Sequence, residues 1–220
     1  VAILAGYILI YYPRPLLLFL VFATPLSFNF EDISAFGGIG FYFPTEPLLF
    51  ALMVLYFLKL MLGHKVNREF MRHPLTIAIL FSLVWIGITT MTSTLPIVSF
   101  KYLLSRLWFV TVMYFMINQF FKDEKFIKKF LVLFIVGMAI TIVYTVRMHA
   151  VNSFSEQAAH WVMWPFFKDH TSYGALIALC FPFVVFFLFQ AKRFSVIQLV
   201  WIVLLVSVTI GLILSYTRAA

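Results

Sequence analysis

Long apolar runs, broken by short clusters of charged and turn-forming residues, dominate the chain from end to end. A helix needs about 20 apolar residues to cross ~30 Å of hydrocarbon. Runs near 16–28, 44–62, 74–91, 103–121, 130–147, 171–190 and 196–215 approach that length, and residues 1–12 read as the tail of an earlier span. The pattern predicts an all-α fold: a polytopic transmembrane helical bundle of seven to eight spans, forming one transmembrane domain over 1–220. The first run is short, and the Pro13-Arg14-Pro15 turn ahead of it predicts a tight hairpin with the segment before. Pro182 falls inside a later run, where it removes a backbone donor, frees the Ala178 carbonyl and predicts a kink or cavity. No internal repeat and no low-complexity linker is visible.

Composition strengthens the membrane reading. Hydrophobic residues make up 64% of the 220 and charged residues only 11%, with a mean hydropathy of +1.04. That is too little charge to cover a soluble globular surface. The sequence opens on Val1 and stops just after an apolar run, so it reads as part of a longer protein, with an external loop and further spans expected beyond Ala220.

The net charge of +8 raises a nucleic-acid partner, and the placement of the charges excludes it: they punctuate apolar runs and do not gather into one wetted stripe. Sorted by side, Arg14, Lys59, Lys65, Arg68, Arg72, Lys122, Lys125, Lys128, Lys129, Lys192 and Arg193 fall together, leaving Lys101, Arg106, Arg147, Lys168 and Arg218 opposite. The positive-inside rule puts the richer side in the cytoplasm. Its connections, "GHKVNREFMRHP" and "KDEKFIKK", read as anchors to anionic lipid head groups. Cys180, alone in an apolar run, reads as a small packing residue and excludes an internal disulfide or a cysteine-based metal cluster.

The outer connections are longer, aromatic and sparsely charged. In the first, "NFEDISAFGGIGFYFPTEP", Gly37, Gly38 and Gly40 permit sharp backbone bends. The adjacent Glu31 and Asp32 read as solvated surface, with cation binding or base chemistry as the alternative. Lys101 and Arg106, in "SFKYLLSRLWF", lead into the fourth run and stand five residues, or about 140°, apart on a helix. Two readings are open for them: snorkelling to outer head groups, or convergence on an anion at the helix start. In "RMHAVNSFSEQAAHWVMWPFFKDHTSYGA", Trp161 and Trp164, with Phe166 and Phe167, read as an interfacial aromatic belt or as the lining of a sugar or lipid groove. Asp169 stands where a helix N-cap belongs. His149, His160 and His170 lack the spacing of a helical zinc pair, so no metal site is expected. His170 neighbours Asp169, but adjacent helical residues do not face each other, so a base role does not follow.

Arg218 ends the final run, in "GLILSYTRAA". A cation near the hydrocarbon core is costly, so it either snorkels outward or faces a polar cavity. Arginine is also the side chain best suited to grip phosphate oxygens through its planar fork.

Two stretches carry a family resemblance. "LSYTRAA" resembles the motif of the O-antigen ligase and polymerase family, and "FFKDHTSYGALIALCFPF" resembles the span one helix before it in bacterial members. The resemblance implies an integral inner-membrane glycosyltransferase with no cofactor and no metal, active on the periplasmic face. Such enzymes transfer a glycan from undecaprenyl diphosphate to lipid A core, a growing glycan or a protein. Arg218 would contact the diphosphate, with Arg106 and Lys101 as secondary diphosphate-binding candidates and Trp161, Trp164 and His170 as glycan or lipid contacts. The general base is expected in a large periplasmic loop after Ala220, and neither His160 nor His170 fills that role. Fixed cations facing the leaving diphosphate would lower the barrier. A secondary transporter or lipid flippase is the competing expectation, since isolated intramembrane charges and proline-containing spans suit it equally. A non-catalytic anchor or sensor would not need so many spans.

Overall fold

The computed structural model describes residues 13–30, 41–63 and 66–217. The segment 1–12, the acidic pair Glu31 and Asp32, the glycines Gly37, Gly38 and Gly40, and Arg218 lie outside those residues. Helix α1 spans Pro13–Ala23 and passes into a 3-10 turn at Thr24–Leu26. Strands β1 (Phe28–Asn29) and β2 (Tyr42–Phe43) form a two-residue antiparallel ladder that pairs Phe28 with Phe43 and Asn29 with Tyr42. Then come α2 (Thr45–Met61), α3 (Arg68–Arg72), α4 (Pro74–Met91), α5 (Pro96–Val110), α6 (Glu124–Val151), α7 (His170–Gln190) and α8 (Val196–Leu214).

Among the described residues, five helices are long and apolar enough to cross a membrane: Pro74–Met91, Pro96–Gln119, Glu124–Val151, His170–Gln190 and Val196–Leu214. They correspond to the last five apolar runs. The first two runs fold as shorter helices. Helix α1 has 11 residues, and the 17 residues of α2 cover about 26 Å at ~1.5 Å per residue. Pro182 sits inside α7 without ending it.

Side-chain caps explain several helix starts. Asn67, His73, Asp169 and Ser195 accept from Glu69, Leu75, Ser172 and Gln198 backbone N–H groups, opening α3, α4, α7 and α8. Each satisfies a donor that has no partner within the first turn. Pro74 and Pro96 occupy the first helical positions of α4 and α5, where the missing N–H costs nothing.

Two compact units are distinguished: Val1–Leu17 with Glu46–Glu124, and Leu18–Thr45 with Lys125–Ala220. In the first, α5 continues through a π-helical stretch at Thr111–Met116 and a 3-10 turn at Ile117–Gln119. Thr76, buried at the start of α4, donates to the Phe70 carbonyl at 2.7 Å, so its 2.7 Å partner Tyr114 must donate to it. That link fixes the α3–α4 corner against the π-helical stretch. Helix α4 buries only Thr76 and exposes Phe81, Val84, Trp85 and Ile88, a surface suited to hydrocarbon.

In the second unit, the 28 residues of α6 extend ~42 Å, longer than the ~30 Å hydrocarbon core. Ile135, Met138, Ile142, Ile177, Val184 and Val208 form a core across α6, α7 and α8, with Cys180 packed among them. Phe187 of α7 stacks on Trp201 of α8 at 4.9 Å. Close approach depends on missing side chains: a Cβ on Gly137 would sit 2.5 Å from the Phe22 carbonyl oxygen. Thr141 donates to the Pro25 carbonyl at 2.8 Å beside it.

Candidate functional site

The second unit brings the start of α7 and the end of α8 together. Asp169 accepts the Ser172 N–H at 2.7 Å and the Ser172 hydroxyl at 2.8 Å. The Ser172 N–H, more than any other contact, holds the Asp169 carboxyl below the usual carboxylate range, against the opposing effect of its partial burial. Asp169 is therefore the expected cap, and its carboxylate is engaged by the helix start. His170 is the first residue of α7.

Helix α8 closes at Ser215, whose hydroxyl donates to the Leu212 carbonyl at 2.7 Å. Tyr216 then takes a left-handed conformation, φ 50°, which costs a residue with a Cβ about 1–2 kcal/mol. Its hydroxyl reaches the Phe154 carbonyl at 3.4 Å, and its ring lies 6.0 Å from that of His149. The turn delivers Thr217 to α7, where its hydroxyl donates to the His170 carbonyl at 3.0 Å. Gly174 makes the fit possible: a Cβ there would lie 2.6 Å from Thr217 Oγ1 and 3.0 Å from Ser215 Oγ. Arg218 follows Thr217 in the chain.

Three histidines surround this junction. His149 is buried, contrary to its expected place in an outer loop, because α6 continues to Val151. Its Nε2 donates to the Ser155 carbonyl at 2.9 Å, and its Nδ1 is buried without a hydrogen-bond partner among the described residues. His160 and His170 meet Nδ1 to Nδ1 at 3.2 Å, with ring centroids 4.4 Å apart. Trp161 and Trp164 are exposed on the same connection at 52% and 55%, and Tyr144 donates to the Trp164 carbonyl at 3.1 Å.

Lys101 and Arg106 belong to the first unit. They do not precede the helix: α5 begins at Pro96, so Lys101 lies in its second turn and Arg106 about 15 Å along its axis. Arg106 donates to the Tyr102 hydroxyl at 3.2 Å, with its guanidinium 5.4 Å from that ring. It lines a shallow cavity of about 380 Å³ with Ser82, Ile86 and Tyr102. Among the described residues no cluster of three or more His, Cys, Asp or Glu side chains is placed to hold a metal ion.

No protein-family model, curated protein or solved structure matches the chain.

Proposed function

We propose that this protein is a bacterial inner-membrane glycosyltransferase that moves a glycan from undecaprenyl diphosphate to an acceptor hydroxyl on the periplasmic face. One observation supports the reading above the others. The two stretches that resemble the O-antigen ligase and polymerase family meet in space, through the Thr217 hydroxyl on the His170 carbonyl and through the bare Gly174 beneath it. Arg218 is the residue that follows this anchored threonine in the sequence. In the transfer, the bond between the anomeric carbon and the diphosphate oxygen breaks, and the acceptor oxygen bonds to that carbon. The acceptor proton passes to a base, and undecaprenyl diphosphate leaves with the negative charge that Arg218 compensates. Trp161, Trp164 and His170, exposed or half-buried beside the junction, are the glycan-facing surface in this reading. In this reading the 17 residues of α2 cross a locally thinned bilayer, while the 11 residues of α1 are too few to cross on their own.

A lipid flippase or transporter is the second reading. It is favoured by Arg106, which stands far from the start of a span whose surroundings are apolar. Two assays on the full-length purified protein separate them. Glycan transfer from undecaprenyl diphosphate to lipid A core in detergent supports the transferase. Movement of the labelled donor across vesicles, with no transfer in either setting, contradicts it.

A further inference from the structure

The first unit carries a second site, at the lysine-rich end of its helices and independent of the transferase reading. A cavity of about 570 Å³ opens there between α2, α3 and the π-helical and 3-10 segments that end α5, inside the ~300–1,000 Å³ range of ligand clefts. Lys59 and Lys122 face it, with His73, Asn118 and Gln119, and Glu69 is the one carboxylate among the described residues that line it. Neither lysine is paired with a carboxylate within the described residues, and Arg14 adds a third cation, 5.5 Å from the ring of the wall residue Phe120. Tyr56 also lines the wall. It is 5% exposed, and its hydroxyl is buried with no hydrogen-bond partner among the described residues. Buried hydroxyls are nearly always satisfied, so this one marks a missing partner.

An apolar cleft of about 210 Å³ adjoins the cavity and shares Tyr56, Leu60, Val66 and Phe115 with it. Its remaining wall includes Leu83, Leu107 and Val110. The change of pitch at Thr111–Met116 puts Phe115 on both walls, in keeping with the frequent placement of π-helical turns at functional sites. A polar, cationic chamber continuous with a greasy slot matches an amphiphile with a charged head and a hydrocarbon tail. A soluble phosphate would leave the slot empty, and a neutral lipid would leave the lysines unused.

We infer that this is a binding site for an anionic phospholipid, its phosphate held by Lys59 and Lys122, its head group reaching Tyr56 and its acyl chain in the adjoining cleft. The site is more specific than the general attraction of basic loops to a charged surface. The lipid acts as a wedge that holds the α3–α4 corner, already tied to Tyr114 through Thr76, against the end of α5.

The test is native mass spectrometry of the full-length protein in detergent, titrated with dioleoyl phosphatidylglycerol, dioleoyl phosphatidylcholine or inorganic phosphate. Phosphatidylglycerol is expected to bind at least tenfold more tightly than phosphatidylcholine. Lys59→Gln with Lys122→Gln reduces that affinity about 10- to 30-fold, at roughly a factor of several per lysine. Leu83→Trp, which fills the slot, weakens both lipids. Lys128→Gln with Lys129→Gln removes the same charge from exposed positions on α6 and leaves binding unchanged. Equal loss from the two double variants, or equal affinity for both lipids, overturns the site. Competition by millimolar phosphate as effective as that by the lipid overturns the lipid as its occupant.

Discussion

Replacing Gly174 with alanine tests the junction between α7 and the end of α8 most sharply. The new Cβ would lie 2.6 Å from Thr217 Oγ1, 2.9 Å from Thr217 Cβ and 3.0 Å from Ser215 Oγ. Rotating the threonine removes the first clash but sacrifices its bond to the His170 carbonyl, and it leaves the second in place. Overpacking of this kind costs about 1–3 kcal/mol. Alanine also returns about 0.5–1 kcal/mol of helix propensity relative to glycine, which blurs a single measurement. Gly87, in α4, supplies the reference because nothing lies within 4 Å of its would-be Cβ. Gly87→Ala therefore reports the propensity gain alone, and the gap between the two variants isolates the clash. At about 2–4 °C per kcal/mol for a chain of this size, Gly174→Ala should melt roughly 2–12 °C below Gly87→Ala in the same detergent. The proposed transfer activity should fall as the Ser215–Thr217 segment is displaced. Equal melting temperatures with activity intact would refute the close packing of Thr217 on α7.

Further outcomes follow from the same contacts. Thr217→Val keeps the shape and removes the hydroxyl donated to His170, so stability should fall by about 0.5–1.5 kcal/mol by thermal unfolding. Gly137→Ala drives a Cβ onto the Phe22 backbone carbonyl, a group that cannot rotate away. It should therefore be the most destabilising alanine substitution of the three glycines, visible as loss of monodisperse protein on size exclusion. Asp169→Ala should cost about 1 kcal/mol of cap stability. The depressed carboxyl makes the wild-type cap fully effective above its unfolded value of about 3.9 and progressively lost as pH falls below that. Melting curves of Asp169→Asn should lack that acid-side decline.

Five of the seven apolar runs were readable as helices of spanning length because hydropathy summed over some 20 residues survives an error at a boundary, and the cap at Asp169 was readable because capping chemistry is local. Charge misled where it interrupted an apolar run without ending a helix. Lys101 suggested that the fourth span began near 103, but the helix begins at Pro96. Arg147 suggested that the next had ended, but it continues to Val151 and buries His149. Both charges are carried on helix surfaces, which a sliding average of polarity does not distinguish from loops. The His160–His170 contact had no local signature, since the two are ten residues apart and meet only through the 3-10 turn at Ala158–His160 and the bend before α7. The role of Gly174 was equally hidden, because it depends on a residue more than forty positions later. The pairing of a cationic chamber with an apolar slot arises from the change of pitch at Thr111–Met116, which no run of hydrophobic residues announces.

The most direct measurement of the central claim is turnover by Arg218→Ala and Arg218→Lys in the purified full-length protein, with an undecaprenyl-diphosphate-linked glycan as donor. Loss of the guanidinium should slow transfer about 100-fold or more. Lysine should restore only part of the rate, because it offers a point charge without the planar fork. An alanine variant that is folded and turns over at the wild-type rate would contradict the account.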